Sequence, residues 1–424
     1  MTFSEKYCGQ SVGEIVQALN TGYGQYDPMN SSLTIGRIMG IPIKLHLTFL
    51  IILAVFLIAF SMNHSEILGF TLGFGALDTD WGTKYAFGAT AAIIFFITIL
   101  IHELAHSYMA IRYGVRIRSI TLMIFGGVAT MEEIPKKPGQ ELKMASAGPL
   151  SSLAIGLGAY GLMLLLTPIE SSSILFEGML ILIGLMAFYN IFLAAFNLLP
   201  AFPMDGGRIL RSALATRMSH LEATKKAAAV GRFSAIAMGM FAIWQFNIFL
   251  IMIAVFIYFA ARDEEQATLI NDSLEGVNVV SLMSTDVKVV HPDTSVQQLL
   301  DLMYYTRHKG FPVVDRGLVG MVTLEDTKRI SMEMFRFARV RDVMTSPATT
   351  VMPSTAAVDA LKLMGDKRVS RLAVVNESGS LVGIITRKDF LRVVDIAAVR
   401  KRRANWGAPP GQVPPPPIPP TASF

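Results

Sequence analysis

Residues 87–109 read FGATAAIIFFITILIHELAHSYM, and the only strongly polar side chains before Ser107 are His102, Glu103 and His106. The run is apolar and long enough to cross a bilayer, whose hydrocarbon core takes about 20 residues of helix. An ionisable side chain near the centre of a span costs on the order of 3 kcal/mol, so three together mark a functional site. On a helix, residues four apart share a face, so the ring nitrogens of His102 and His106 can converge on one ion while Glu103 projects beside them. HExxH spacing in this setting predicts a zinc hydrolase centre with Glu103 as general base. In a soluble helix the same pattern is often a solvated or core accident; inside lipid the burial cost argues against one.

Composition agrees with a membrane protein carrying a soluble part. A chain of 424 residues suggests about two or three domains. Apolar residues make up 52% and charged residues 16%, too oily for a wholly soluble protein, and the apolar residues concentrate before residue 262. The net charge of +5 belongs first to cytoplasmic loops and lipid headgroups, not to nucleic acid. Cys8 is the single cysteine, which excludes an internal disulfide framework and a thiolate-rich metal site. Zinc must therefore use histidine and carboxylate.

Working outward from the HExxH span, an earlier span is expected over Leu45–Met62, and later ones over Leu142–Leu166 and Ser173–Leu199. The stretch from Ala227 to Ala261 is long enough for two more joined near Gln245–Asn247, about six in all. Residues 1–35 read as a leader without a secretory signal, with capping-box spacing at Ser11 and Glu14 that would suit a short interfacial helix, a disordered leader being the equal alternative. Arg112, Arg116, Arg118, Lys136 and Lys137 follow the HExxH span, and Arg208, Arg211, Arg217, Lys225 and Lys226 follow the fourth. By the positive-inside rule both termini are expected in the cytoplasm. His102 then lies ten residues before Arg112, about 15 Å of helix from the cytoplasmic end. Between these spans, residues 117–131 alternate partly and carry Gly126-Gly127, which predicts a strand or hairpin. Such an edge could hold a substrate in extended form, or simply cap the bundle.

Two histidines do not complete a tetrahedral site. Asp205, in the segment NLLPAFPMDGGR at 197–208, either caps the following helix or supplies the third ligand. Pro200 and Pro203 break the preceding helix and Gly206-Gly207 permits a sharp turn, and beside an HExxH motif the ligand reading is favoured.

HELAH at 102–106, NLLPAFPMDGGR at 197–208, the Phe125-Gly126-Gly127 loop and Ala147-Gly148-Pro149, in that order, resemble the site-2 protease family of intramembrane zinc metalloproteases, in its branch with a CBS pair. The resemblance covers about residues 36–262. It implies one Zn2+ per chain held by His102, His106 and Asp205, with Glu103 as catalytic acid and base and Asn197 supporting substrate or oxyanion. It also implies a transmembrane protein as substrate, cut within the bilayer. Many members carry an asparagine three residues after AGP; this chain has Ser152, so the resemblance carries no ligand-orienting role to that position.

After Arg262 the composition turns soluble and repeats at a period of about 61 to 63 residues. Phe311-Pro312-Val313-Val314 matches Leu372-Ala373-Val374-Val375, and Gly320-Met321-Val322-Thr323-Leu324-Glu325-Asp326 matches Gly383-Ile384-Ile385-Thr386-Arg387-Lys388-Asp389. These copies resemble a tandem CBS pair. The resemblance implies contacts from Thr323, Asp326, Thr386 and Asp389 to the ribose of AMP, ADP or ATP, and a homodimer through the pair; Asp389 equally suits a helix N-cap without ligand. The expected organisation is a leader over 1–35, a polytopic α-helical membrane domain with a small β element over 36–264, soluble α/β CBS copies over 276–334 and 335–397, and a basic, proline-rich disordered tail over 398–424. A CBS-regulated channel or transporter is the competing reading, since buried His, Glu and Asp can line an ion path. Conduction does not require HExxH spacing with a separate aspartate.

Overall fold

The computed structural model describes residues 32–124, 126–131, 137–169 and 173–393. They fall into two compact units that part between residues 268 and 269. The segment around Ser11, read as an interfacial helix or a disordered leader, and the tail over 398–424 lie outside the described residues.

The first unit opens with strands β1 (Ser32–Ile38) and β2 (Ile41–His46), paired antiparallel from Ser32 opposite His46 to Ile38 opposite Ile41. Gly40, at φ +78°, makes the turn between them. Strand β1 thus occupies the end of the stretch expected as a leader. No hydrophobic alternation announced it, because every residue after Ser32 in the strand is exposed.

The apolar helix α1 (Leu47–Met62), a short hairpin of β3 (Glu66–Ile67) with β4 (Phe70–Thr71), and the HExxH helix α2 (Trp81–Arg112) follow. Asp80 caps α2, its side chain accepting from the Thr83 amide. Next come β5 (Ile117–Met123) and β6 (Gly126–Met131), the hairpin expected from the partial alternation. Strand β5 also pairs parallel with β2, giving the sheet order β1-β2-β5-β6 with β6 at one edge. Ile41, Ile43 and Ile120 of this sheet pack on Leu100 and Leu104 of α2. Those leucines are one turn apart, so His102 and His106 point from the opposite side of the helix.

The rest of the unit is helical: α3 (Pro138–Leu166), α4 (Ile174–Asn197), α5 (Asp205–Ala215), α6 (His220–Trp244) and α7 (Ile248–Leu274). Four of the described helices, α2, α3, α4 and α6, are long and apolar enough to cross a membrane. Helix α1, at 16 residues, is shorter, and α7 carries Arg262-Asp263-Glu264-Glu265 in its interior. The expected six spans therefore correspond to four helices of full length and two apolar helices that fall short. The break foreseen near residues 245–247 is a turn, closed by Asn247 Oδ1 accepting from the Leu250 amide at 3.1 Å.

The second unit holds the repeats. The first copy contains α8 (Val296–Thr306), β7 (Gly310–Val314), β8 (Leu318–Thr323) and α9 (Leu324–Thr327); the second contains α10 (Val340–Val343), β9 (Thr350–Val351), α11 (Ala357–Asp366), β10 (Arg371–Val375) and β11 (Leu381–Thr386). The copies exchange their leading segments. Ser284, at the start of the first, bridges Ile384 of β11, while Thr345, at the start of the second, bridges Met321 of β8. Val279 accordingly lies in the core with Val351, Leu372 and Ile385. Ala338 and Val340 lie in the core with Leu299, Phe311 and Val322.

Candidate metal centre

The histidines are set by α2 and oriented by α3. His106 Nδ1 faces the Met144 carbonyl at 2.7 Å; a carbonyl only accepts, so Nδ1 carries the hydrogen and Nε2 of the neutral ring presents its lone pair to the centre. His102 Nδ1 lies 2.9 Å from Ser152 Oγ. A serine hydroxyl therefore does hold the imidazole at this position, a role the resemblance had not carried to it, because a hydroxyl reaches a ring nitrogen as well as an amide does. Outer partners of this kind fix ring orientation and ligand basicity.

Asp205 arrives from a tightly folded segment. Ala201 N donates to Leu199 O at 2.7 Å and Met204 N to Ala201 O at 3.0 Å, which folds the chain back before α5 begins. The first turn of α5 lies against that loop with no room for side chains. A Cβ on Gly206 would stand 2.2 Å from Leu199 O, and one on Gly207 2.7 Å from the Ala201 carbonyl carbon. The two glycines are thus required by close approach, and Asp205 itself is left at the head of the helix, buried and pointing at the imidazoles.

The three ligand atoms form a nearly equilateral triangle: His102 Nε2 to His106 Nε2 3.2 Å, His102 Nε2 to Asp205 Oδ2 3.2 Å, and His106 Nε2 to Asp205 Oδ2 3.1 Å. A tetrahedral zinc with bonds of about 2.0–2.1 Å has edges of about 3.3 Å between ligand atoms. His106 offers a lone pair and the carboxylate offers only acceptors, so a cation is what this buried cluster is built to receive. Three protein ligands leave the fourth position open, as catalytic zinc sites do and structural ones do not.

Two neighbours complete the site. Gly148 of α3 is pressed against the ligand face: a Cβ there would lie 2.1 Å from His106 Nε2 and 2.6 Å from His102 Nε2. Glu103 lies on the side of α2 between the histidines and the sheet, where a Cβ on Gly127 of β6 would stand 2.5 Å from its Cγ. The sequence motifs contained both glycines, yet their closeness to the ring nitrogens and to Glu103 is a property of packing. Asn197 ends α4, and its amide donates to Leu193 O of its own helix at 3.0 Å. Among the sequence candidates, His102, His106 and Asp205 come together, Glu103 sits beside them, and Asn197 is engaged elsewhere.

The CBS candidates are helix caps in this structure. Asp326 Oδ2 accepts from Thr323 N at 2.9 Å and Oγ1 at 2.7 Å; Asp389 Oδ2 does the same for Thr386 at 2.8 and 2.7 Å. Arg371, at the head of β10, crosses to the other copy and donates from Nη1 to Gly310 O at 2.8 Å. Burial pulls this guanidinium below its ordinary pKa, against the raising effect of the nearby Asp326 carboxylate. Its buried Nε has no hydrogen-bond partner among the described residues.

Residues 90–242 match Peptidase family M50, and residues 279–333 and 340–396 match the CBS domain. The chain is 35% identical over 374 residues to the zinc metalloprotease MJ0392 of Methanocaldococcus jannaschii, covering 88% of this chain and 99% of that protein. Among solved structures, the site-2 protease from Methanocaldococcus jannaschii is 38% identical, covering 55% of this chain and 95% of that one, with a TM-score of 0.38. CBSX2, from Arabidopsis thaliana, in complex with AMP is 32% identical, covering 30% of this chain and 100% of that one, with a TM-score of 0.26. With a buried HExxH helix, a distant aspartate closing its ligand triangle and a paired repeat behind them, the chain belongs to Peptidase family M50 and is a membrane zinc metalloendopeptidase of the site-2 protease type with a tandem CBS pair.

Proposed function

We propose that this chain cuts a peptide bond within a transmembrane segment of another protein, using one zinc held by His102, His106 and Asp205. The observation that carries the reading is the triangle of ligand atoms, 3.1–3.2 Å on a side, with Glu103 one residue from the first histidine. Zinc held there supplies a Lewis acid for the peptide carbonyl and brings the pKa of a water to around 7. Glu103 takes a proton from the attacking water and returns it to the departing amine nitrogen. Strand β6 is an outer strand of its sheet among the described residues and bears on Glu103 through Gly127, so its outer edge is where an extended substrate segment adds as a further strand. A helical segment hides its amides in its own hydrogen bonds and must unwind to be cut. Asn197 supports substrate or oxyanion in this reading through the second hydrogen of its amide nitrogen, since Leu193 O takes only one.

Lysine and arginine in the short loops support a cytoplasmic location for both termini and the CBS pair. An adenine nucleotide, AMP, ADP or ATP, is the proposed regulator. Its support here is the Thr–Asp pair that heads α9, its counterpart at Thr386 and Asp389, and the unpartnered Nε of Arg371, which suits a phosphate oxygen. Protomers pair through the CBS copies in the same reading.

The test is metal analysis and cleavage of a transmembrane substrate by detergent-purified wild type and Glu103→Ala. About one zinc per chain in both, with cleavage by wild type alone, is the expected result. Equal cleavage by the two would remove Glu103 from its role.

A further inference from the structure

In the helix that begins at Asp205, Arg211 is 1% exposed, and Glu141 of α3 is 0% exposed. The guanidinium donates to Glu141 Oε1 from both Nε, at 2.9 Å, and Nη2. Its Nη1 donates to Glu264 Oε1 of α7 at 2.5 Å. The same guanidinium stacks over Phe202, 5.1 Å from the ring centroid, and the adjacent Ser212 Oγ donates to the Pro138 carbonyl of α3. Arg211 therefore grips the chain on both sides of Asp205: Phe202 three residues before it, and the body of α5 after it.

Helix α3 is the common frame. Pro138 and Glu141 hold α5, while Met144, Gly148 and Ser152 touch the histidines. Their spacing of three or four residues puts all five on one stripe of α3. One helix thus touches both imidazoles and the helix that begins at Asp205, and its tie to α5 is a fully buried ion pair. Replacing a buried ion pair by apolar side chains is often neutral or favourable for stability, so stability alone does not explain this one.

We infer that the Arg211–Glu141 pair, with Glu264, is a positioning device that holds Asp205 at ligating distance from His102 and His106. The inference rests on the reading of Asp205 as the third ligand. It is tested on full-length protein in detergent through zinc affinity by chelator competition, the visible spectrum of the cobalt(II) form, and thermal unfolding of the metal-free chain. The variants are Arg211→Met, the double change Arg211→Met with Glu141→Leu, and Asp205→Ala. Arg211→Met strands a buried carboxylate and is expected to lower the unfolding temperature of the metal-free chain; the double variant removes both fully buried charges, leaves only the solvent-reachable Glu264 carboxylate, and restores most of it. Zinc affinity of the double variant stays about 10- to 100-fold below wild type, and its cobalt spectrum loses the intensity of a tetrahedral site. A double variant with wild-type affinity and spectrum, alongside an impaired Asp205→Ala, overturns the positioning role. Wild-type affinity in Asp205→Ala overturns the ligand reading instead.

Discussion

At the scale of single residues, the centre depends on what is missing as much as on what is present. Gly148 carries no Cβ, and that vacancy lets the backbone of α3 lie against the two ring nitrogens. Alanine suits a helix interior better than glycine, by about 1 kcal/mol. Gly148→Ala, despite that gain, places a methyl 2.1 Å from His106 Nε2, and the overpacking should destabilise the metal-free chain by about 1–3 kcal/mol while closing the ligand face. We expect it to lose zinc, read as a drop from about one ion per chain to near zero by metal analysis. Full zinc content in that variant would show that the helix stands further off than described. The histidines, the glutamate and the aspartate were legible in the sequence because their chemistry has few other uses at membrane depth. Ser152 was not, since a serine inside a helix is usually content with a carbonyl of its own helix.

At the scale of elements, β6 joins the sheet to the chemistry. Its Gly127 pairs with Leu122 of β5 and gives Glu103 the room it occupies. Gly127→Ala should push the carboxylate aside without touching a ligand. The expected outcome is a fall in kcat on the order of 10²-fold, the scale of a general base's contribution, with zinc content unchanged. If zinc and kcat fell together, Gly127 would be acting on the ligands and not on Glu103. The hairpin of β5 and β6 could be read from alternation and paired glycines, whereas β1 could not, because an exposed edge strand has no buried face to impose a pattern.

At the scale of the whole molecule, α7 runs from the last apolar segment into the repeats, and its Ile270 and Leu274 belong to the core of the second copy. Leu274 is 1% exposed. Leu274→Ala should cost the CBS pair about 2–5 kcal/mol, measured by denaturant unfolding of a soluble fragment that begins before Ile270. A fragment beginning at residue 276, which lacks both Ile270 and Leu274, should lose more than that without any substitution, and equal stability of the two fragments would place α7 outside that core. By itself the sequence determined the class of the protein, the four residues proposed for the centre and the existence of two repeats, because lipid makes every buried charge conspicuous and a repeat declares itself by its period. Only the tertiary structure decided that one stripe of α3 touches both imidazoles and α5, and that each repeat is closed by the other's leading segment. Those facts depend on distances between parts of the chain that are far apart in sequence, and no local pattern encodes them.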